Sequence, residues 1–316
     1  MKKPQPDLDP SVLDDPEAMR TLQSRKARLL IDTAAALKEK PPTIGTACFQ
    51  ETVLCQVGLP RGKLSVRRFE RHNGGVSLLL EAGALWDGKQ WIDQPLPYGP
   101  KPRLMMIHIC TEAVRHKTKT VCLGRSLRQF LCDLGFRGEG REYSSIKTQI
   151  KALAACRMTL GISYRDTATT IDAKPFRRFE SWLVPGESRD TGWPMEIELS
   201  DDLYAALRDG AVPLPWEAIA ALKGSSLALD IYTWLAHRLR RVKQPSGDKV
   251  YWKNLREQFG QEYRDPKNFQ QKFLKALRQA RTVYPNARIS EETKGGIILL
   301  PSPSPVPGRL VQGIKL

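Results

Sequence analysis

A mixed α+β chain, in which one order of helices and strands is written twice, is what the sequence predicts. Three observations carry that reading. Residues with helical apolar spacing alternate with short apolar runs along most of the chain. The order helix, short strand, helix, turn, helix, strand pair begins near residue 103 and again near residue 225. Hydrophobic residues make up 41% of the 316, enough for globular cores, and at about 150 residues per domain the length suggests two.

Residues 1–20 are rich in Pro and Asp and are expected to form a mobile acidic tail. Residues 14–40 favour helix, with Leu22, Leu29, Leu30, Ala34 and Leu37 roughly on one face, until Pro41-Pro42 stops it. From 43 to 100, short apolar runs separated by turns such as His72-Asn73-Gly74-Gly75 and Trp86-Asp87-Gly88-Lys89 predict strands. Pro95, Pro97, Pro100 and Pro102 predict a stiff connection into the next helix.

That helix runs from 103 to about 117 on the spacing of Leu104, Ile107, His108, Thr111 and Val114. A strand at 120–123 follows, then Ser126 as N-cap for a helix over 127–134 that Gly135 closes. After a glycine-containing turn at 137–141, Ile146, Ile150, Leu153 and Ala154 mark a longer helix. Strand character returns at 159–165, 176–184 and 195–199. In the second half the same order gives a helix over 225–242, a strand at 250–252, a helix over 253–259 and a turn to 265. Pro266 suits the first position of a helix running to about 283, and 288–292 with 296–300 predict a hairpin. Ile150-Lys151-Ala152-Leu153 with Arg157 parallels Leu274-Lys275-Ala276-Leu277 with Arg281, in register with the repeated order. The expectation is therefore two tandem winged-helix units, each a helix-turn-helix plus β-hairpin, behind an N-terminal extension of helix and strands. Their expected bounds are 1–40 for the tail and first helix, 41–210 and 211–305 for the two units, and 306–316 for a C-terminal tail.

The formal net charge of +16 favours a polyanionic partner, and nucleic acid is the commonest. Between residues 234 and 281 there are thirteen Lys or Arg against four Asp or Glu, where a merely solvated surface would mix the signs. A helix-turn-helix lays its second helix in the major groove, which demands one apolar face and one face of long hydrogen-bond donors. In the second unit Phe269, Phe273, Leu274 and Leu277 supply the first face. Lys267, Asn268, Gln271, Lys272, Lys275, Arg278 and Gln279 supply the second. Asn and Gln pair with adenine and Arg with guanine, while Lys more often takes phosphate. The first unit offers Arg141, Ser144, Ser145, Lys147, Thr148 and Lys151 at the corresponding place. The hairpin around Lys294 would be the wing, although Glu291 and Glu292 stand beside it. Two reading helices in successive major grooves predict a site of about 20 bp of double-stranded DNA.

Catalytic and membrane readings find little support. His108-Ile109 is followed by Cys110, so the metal-binding histidine pair of a nicking enzyme is missing. Gly62-Lys63 is followed by Leu64, not the Ser or Thr of a phosphate-cradling loop. Asp201-Asp202 reads as a helix cap and not as a nuclease cluster. The four histidines and six cysteines lack metal-ligand spacing, and the cysteines are expected to be small core residues of a reduced compartment. No metal, cofactor or enzymatic activity is therefore expected. Asp7, Asp9, Asp14 and Asp15 stand where a leader would need an apolar run, and 76–86 is too short to span a bilayer and carries Glu81. The expectation is a cytoplasmic protein without membrane contact. The absence of an evident aromatic platform argues against RNA binding.

The stretch Leu96-Pro97-Tyr98-Gly99-Pro100-Lys101-Pro102-Arg103-Leu104, continuing to Cys110-Thr111-Glu112-Ala113-Val114-Arg115, resembles the plasmid RepA-type replication initiators. Leu123-Gly124-Arg125-Ser126-Leu127 and Leu153-Ala154-Ala155-Cys156-Arg157 are similar to further stretches of that family, and the similarity extends over about residues 70–300. The resemblance implies binding to direct repeats (iterons) at a plasmid origin, opening of neighbouring A·T-rich DNA, and recruitment of the host initiator and replicative helicase. It also implies a monomer–dimer equilibrium in which the dimer represses the initiator's own gene. A transcriptional repressor without an initiator role is the alternative, since fold does not determine function.

Overall fold

The computed structural model describes residues 16–124, 126–136, 141–179, 196–291 and 295–307. The expected tails at 1–15 and 308–316, Arg125, the turn at 137–140, the 180–184 stretch and Lys294 lie outside the described residues. The first half contains α1 (Pro16–Glu39), β1 (Cys48–Gln50), β2 (Arg68–Asn73), β3 (Val76–Glu81), β4 (Ala84–Trp86), β5 (Trp91–Asp93), α2 (Pro100–His116), β6 (Thr120–Cys122), α3 (Leu127–Asp133), α4 (Arg141–Ala155), β7 (Arg157–Tyr164), β8 (Thr167–Asp172), β9 (Phe176–Phe179) and β10 (Glu196–Leu199). It is followed by α5 (Asp201–Gly210), β11 (Val212–Leu214), α6 (Trp216–Leu222), α7 (Ser226–Arg238), β12 (Asp248–Tyr251), α8 (Trp252–Phe259), α9 (Pro266–Thr282), β13 (Ile289–Ser290) and β14 (Gly296–Leu299).

Local chemistry accounts for most boundaries. Helix α2 starts at Pro100, three residues before the sequence reading placed it, with Pro102 also in its first turn. Prolines there forfeit no intrahelical hydrogen bond, because first-turn N–H groups have no partner within the helix. Ser126 and Ser225 cap α3 and α7 through their hydroxyls, which accept from Gln129 N and Ala228 N at 3.2 Å. Ser200 caps α5 in the same way, accepting from Leu203 N, so Asp201 and Asp202 sit in the first turn instead of at the cap. Helix α7 ends at Arg238 and a single tighter turn over Leu239–Arg241 completes the stretch expected to be helical to 242. All residues from Ser226 to His237 are buried, so α7 is a central core helix and not the amphipathic one its apolar stripe predicted.

The sheets reveal the repeat most directly. One three-stranded antiparallel sheet runs β6-β10-β9 and another runs β12-β14-β13. In each, the strand that follows the first helix pairs with the last strand, which pairs with the one before it. The order α2, β6, α3, α4, β9, β10 thus recurs as α7, β12, α8, α9, β13, β14. Strand β7 and the unanticipated β8 are inserted between α4 and β9 and extend the β2-β3 hairpin into a four-stranded sheet, β2-β3-β7-β8. Helix α6 and strand β11 were also unanticipated, being too short to show a period. Val212, Pro213 and Leu214 of β11 pair with Gln50, Phe49 and Cys48 of β1, across the expected division at 210/211.

One buried cluster runs from Leu30 on α1 through Leu104, Phe130, Ile150, Tyr232 and Phe273 to Leu299 on β14, so both halves share a core. Cys48, Cys55, Cys110 and Cys156 lie in the interior, where burial pushes the Cys110 and Cys156 thiols up to about 12. Cys122 and Cys132, expected in the core as well, are exposed on β6 and α3. Among the described residues, no helix is long and apolar enough to cross a membrane.

Candidate nucleic-acid interface

Helix α9 is fixed at its start by Asp265, whose carboxylate accepts from Lys267 N and Asn268 N, both at 3.0 Å, while Pro266 presets the first turn. Phe269, Phe273, Ala276, Leu277 and Ala280 recur at helical spacing and are buried. The Phe273 ring lies 5.6 Å from both Phe259 and Phe269 and meets Trp252 edge-on at 5.8 Å, which locks α9 against α8. The turn between the two helices is held from within. Gly260 N donates to Arg256 O at 2.7 Å, and Arg256 Nη2 reaches Arg264 O at 3.2 Å. A Cβ on Gly260 would fall 2.9 Å from Arg256 O and from the Phe269 ring, so the close approach requires glycine.

With its apolar face so engaged, α9 turns Lys267, Asn268, Gln271, Lys272, Lys275 and Arg278 to solvent, and Gln279 is half-buried. Six of the seven residues expected there thus share one exposed surface. Arg278 is already engaged, since its Nη2 lies 2.8 Å from Glu291, which also accepts from Arg281 at 3.2 Å. Glu291 therefore neutralises part of the charge beside the expected wing, and Lys294 lies outside the described residues.

Helix α4 buries Ile146, Gln149, Ile150 and Leu153 and exposes Ser144, Thr148 and Lys151. Ser145 and Lys147 are half-buried, with Lys147 Nζ 5.0 Å above the Tyr143 ring, and the Arg141 side chain lies outside what is described. Thr148 donates to Ser144 O at 3.1 Å, which occupies its proton but leaves its oxygen free to accept. This face is smaller and less cationic than that of α9.

The remaining positive charge is less free than its count implied. Arg238 pairs with Asp248 at 2.9 Å and Arg241 donates to His237 O at 2.5 Å, at the end of α7 where the exposed carbonyls attract cations. His237 is enclosed there; burial, then Arg241, Arg240 and Arg238, push its pKa down to about 3.

Two features escaped the sequence reading. Arg103, within the stretch 96–104, forms a buried fork with Asp230 on α7, Nε to Oδ1 at 2.6 Å and Nη2 to Oδ2 at 2.8 Å. Its other donors reach Leu59 O, Pro60 O and Gly99 O. Alongside, Glu262 in the α8–α9 turn accepts from Arg61 Nη1 at 2.7 Å and from the fully buried Arg71 Nη2 at 2.6 Å. Burial opposes ionisation of Glu262, but Arg61 and Arg71 outweigh it and hold the carboxyl below its usual range. Burial and Arg61 push Arg71 down to about 10. No local pattern announces these partners, which lie up to 201 residues apart. The second feature is the β4–β5 hairpin, whose Trp86 and Trp91 are 51% and 69% exposed with rings 5.6 Å apart. The structure thus carries an exposed aromatic pair that the sequence did not show. Asp87 and Asp93 offset Lys89 and Arg67, which Asp93 already holds at 3.2 Å, so the hairpin carries no net positive path for a strand.

Among the described residues, no group of three or more His, Cys, Asp or Glu could hold a metal ion. No curated protein matches the chain. A crystal structure of RctB domains 2-3 is similar to it at 13% identity and a TM-score of 0.50, covering 78% of this chain and 94% of that one. A selenomethionine structure of domains 2 and 3 of RctB is similar at 14% identity and a TM-score of 0.49, covering 78% and 93%. The first likeness concerns the α+β fold alone. The family described as plasmid encoded RepA protein matches residues 96–253, from the Leu96 stretch that holds Arg103 to the start of α8. This chain belongs to the plasmid-encoded RepA protein family.

Proposed function

We propose that this RepA-family protein is a plasmid replication initiator that binds double-stranded iterons, with α9 and α4 as the reading helices of two winged-helix units spanning 41–210 and 211–305. The observation that carries the reading is α9: an aromatic-locked, Asp-capped helix after a short turn, presenting Lys, Asn, Gln and Arg on one exposed face. The recurring strand order of the two small sheets supports the paired units. The exposed Lys267, Lys272 and Lys275 suit phosphates, while Asn268 and Gln271 suit adenine edges. Ser144, Thr148 and Lys151 make the contacts of the first unit, with Ser145 and Lys147 at its margin; Arg141 is proposed to join the first set, and Gln279 and Lys294 the second. The protein acts in the cytoplasm without catalysis of its own. It promotes opening beside the iterons, recruits the host initiator and replicative helicase, and represses its own gene as a dimer.

The test is a footprint on the DNA flanking its gene. Tandem direct repeats beside an A·T-rich tract, each protected over about 20 bp, are expected. A single inverted repeat over a promoter would instead identify a repressor, and protection of one helical turn would overturn the two-helix arrangement.

A further inference from the structure

We propose that the ion pairs around residues 57–61 are a spacing gauge: they hold the α8–α9 turn at one position against the first half, so that the protein selects the separation of its two half-sites as well as their sequences. The inference rests on the duplex-binding reading above.

Its basis is the direction and completeness of the bonds. All five guanidinium donors of Arg103 are used, two on Asp230 and three on the carbonyls of Leu59, Pro60 and Gly99. The strap 57–61 is thereby tied to α2 and α7 together. Gly58 lies so close that a Cβ would fall 2.7 Å from Asp230 Oδ2. At its other end Arg61 donates from both its backbone N, at 3.2 Å, and Nη1, at 2.7 Å, to Glu262. Arg71 on β2 reaches Glu262 Oε1 and also Gln258 O, at 3.0 Å, at the end of α8. Gln258 Nε2 returns the contact to Gln56 O at 2.7 Å.

The turn that aims α9 is therefore bonded on several sides to elements of the other half. Apolar contacts between the halves would stabilise as well or better, because burying charge incurs desolvation, but they can slide. A forked guanidinium–carboxylate pair accepts only one geometry. Three arginines against two carboxylates, with Arg61 Nε, Arg61 Nη2 and Arg71 Nε lacking hydrogen-bond partners, are an arrangement poorly explained by stability alone. These are positioning residues, distinct from the exposed contacts on α9 and α4.

The experiment compares the full-length protein with Glu262→Gln and Asp230→Asn. Affinity is measured for duplexes with the native spacing and with two base pairs inserted between half-sites. Separately, spin labels at Arg128→Cys on α3 and Lys253→Cys on α8, with Cys122 and Cys132 changed to Ser, report the distance between the halves without DNA. The wild type should lose roughly ten-fold in affinity on insertion, and each variant about three-fold or less, with a broadened distance distribution. Should Glu262→Gln fail to fold, Arg61→Lys keeps the charge, loses the guanidinium Nη1 contact with Glu262 and carries the same readouts. A folded variant with the wild-type insertion penalty and a narrow distribution overturns the gauge. A wild-type protein that binds no duplex overturns the spacing role through the DNA-binding reading, whatever the labels show.

Discussion

Arg278 on α9 directs both Nε and Nη2 to one oxygen of Glu291, at 3.3 and 2.8 Å, so the arginine best placed to read a guanine is held by an acid at the end of the neighbouring strand. The pair is exposed on the arginine side, where such bridges contribute little to stability. Its consequence lies in binding, because Glu291 both orients Arg278 and repels phosphate.

Glu291→Gln is therefore expected to tighten binding to all duplexes, by a few-fold at low salt, with the gain shrinking as salt rises. Arg278→Ala should cost about 1–3 kcal/mol and relax preference at one base step. Fluorescence anisotropy titrations against a panel of single-base variants would register both, and an unchanged sequence profile in Arg278→Ala would remove it from the reading set.

Lys272 and Lys275 are exposed on the same face. Replacing either by Ala should weaken specific and non-specific duplexes alike and reduce the slope of log affinity against log salt by about 1. A slope identical to wild type in both variants would mean that another surface faces the DNA.

Asp230→Ala would leave the buried Arg103 with two of its donors unmet and its charge uncompensated. Equilibrium denaturation should show a loss of about 3–5 kcal/mol. A loss under about 1 kcal/mol would mean that water reaches the fork and shares its energy.

His237 sets the expected acid response. It is neutral in the fold because its pKa is pushed down to about 3, whereas the unfolded chain takes up a proton near the ordinary value of 6.5. Its contribution to stability is full above about pH 6.5 and declines as pH falls toward 3, by about 2 kcal/mol between pH 7 and pH 5. The ionised Glu262 adds a loss only at lower pH, as its depressed carboxyl titrates. Denaturation midpoints followed from pH 7 to 5 should fall for the wild type and less steeply in His237→Gln, the remainder coming from His108, whose pKa burial also pushes down. Equal slopes would assign the effect to other groups.

Much of the architecture could be read from short-range chemistry. Ser126, Ser225, Pro266 and Gly135 marked element ends because caps, first-turn prolines and left-handed glycines act within a few residues. The face of α9 was legible because an amphipathic period records what is buried and what is wet. Strand β11 and helix α6 were not, since three and seven residues carry no usable period. Strand β7 joins β3 and not the sheet of β6, β10 and β9, because alternation states that a strand pairs but not with which partner.

By itself, then, the sequence determined the α+β class, the doubled order of elements, the cationic excess and the outward set on α9, all products of composition and local periodicity. Tertiary structure alone decided that Arg278 is held by Glu291, that Trp86 and Trp91 stand exposed, and that Arg103 meets Asp230 in the interior while Arg61 and Arg71 meet Glu262 beside it. The physical reason is range: helix faces and caps are set over four or so residues, whereas a buried ion pair depends on where the whole chain returns.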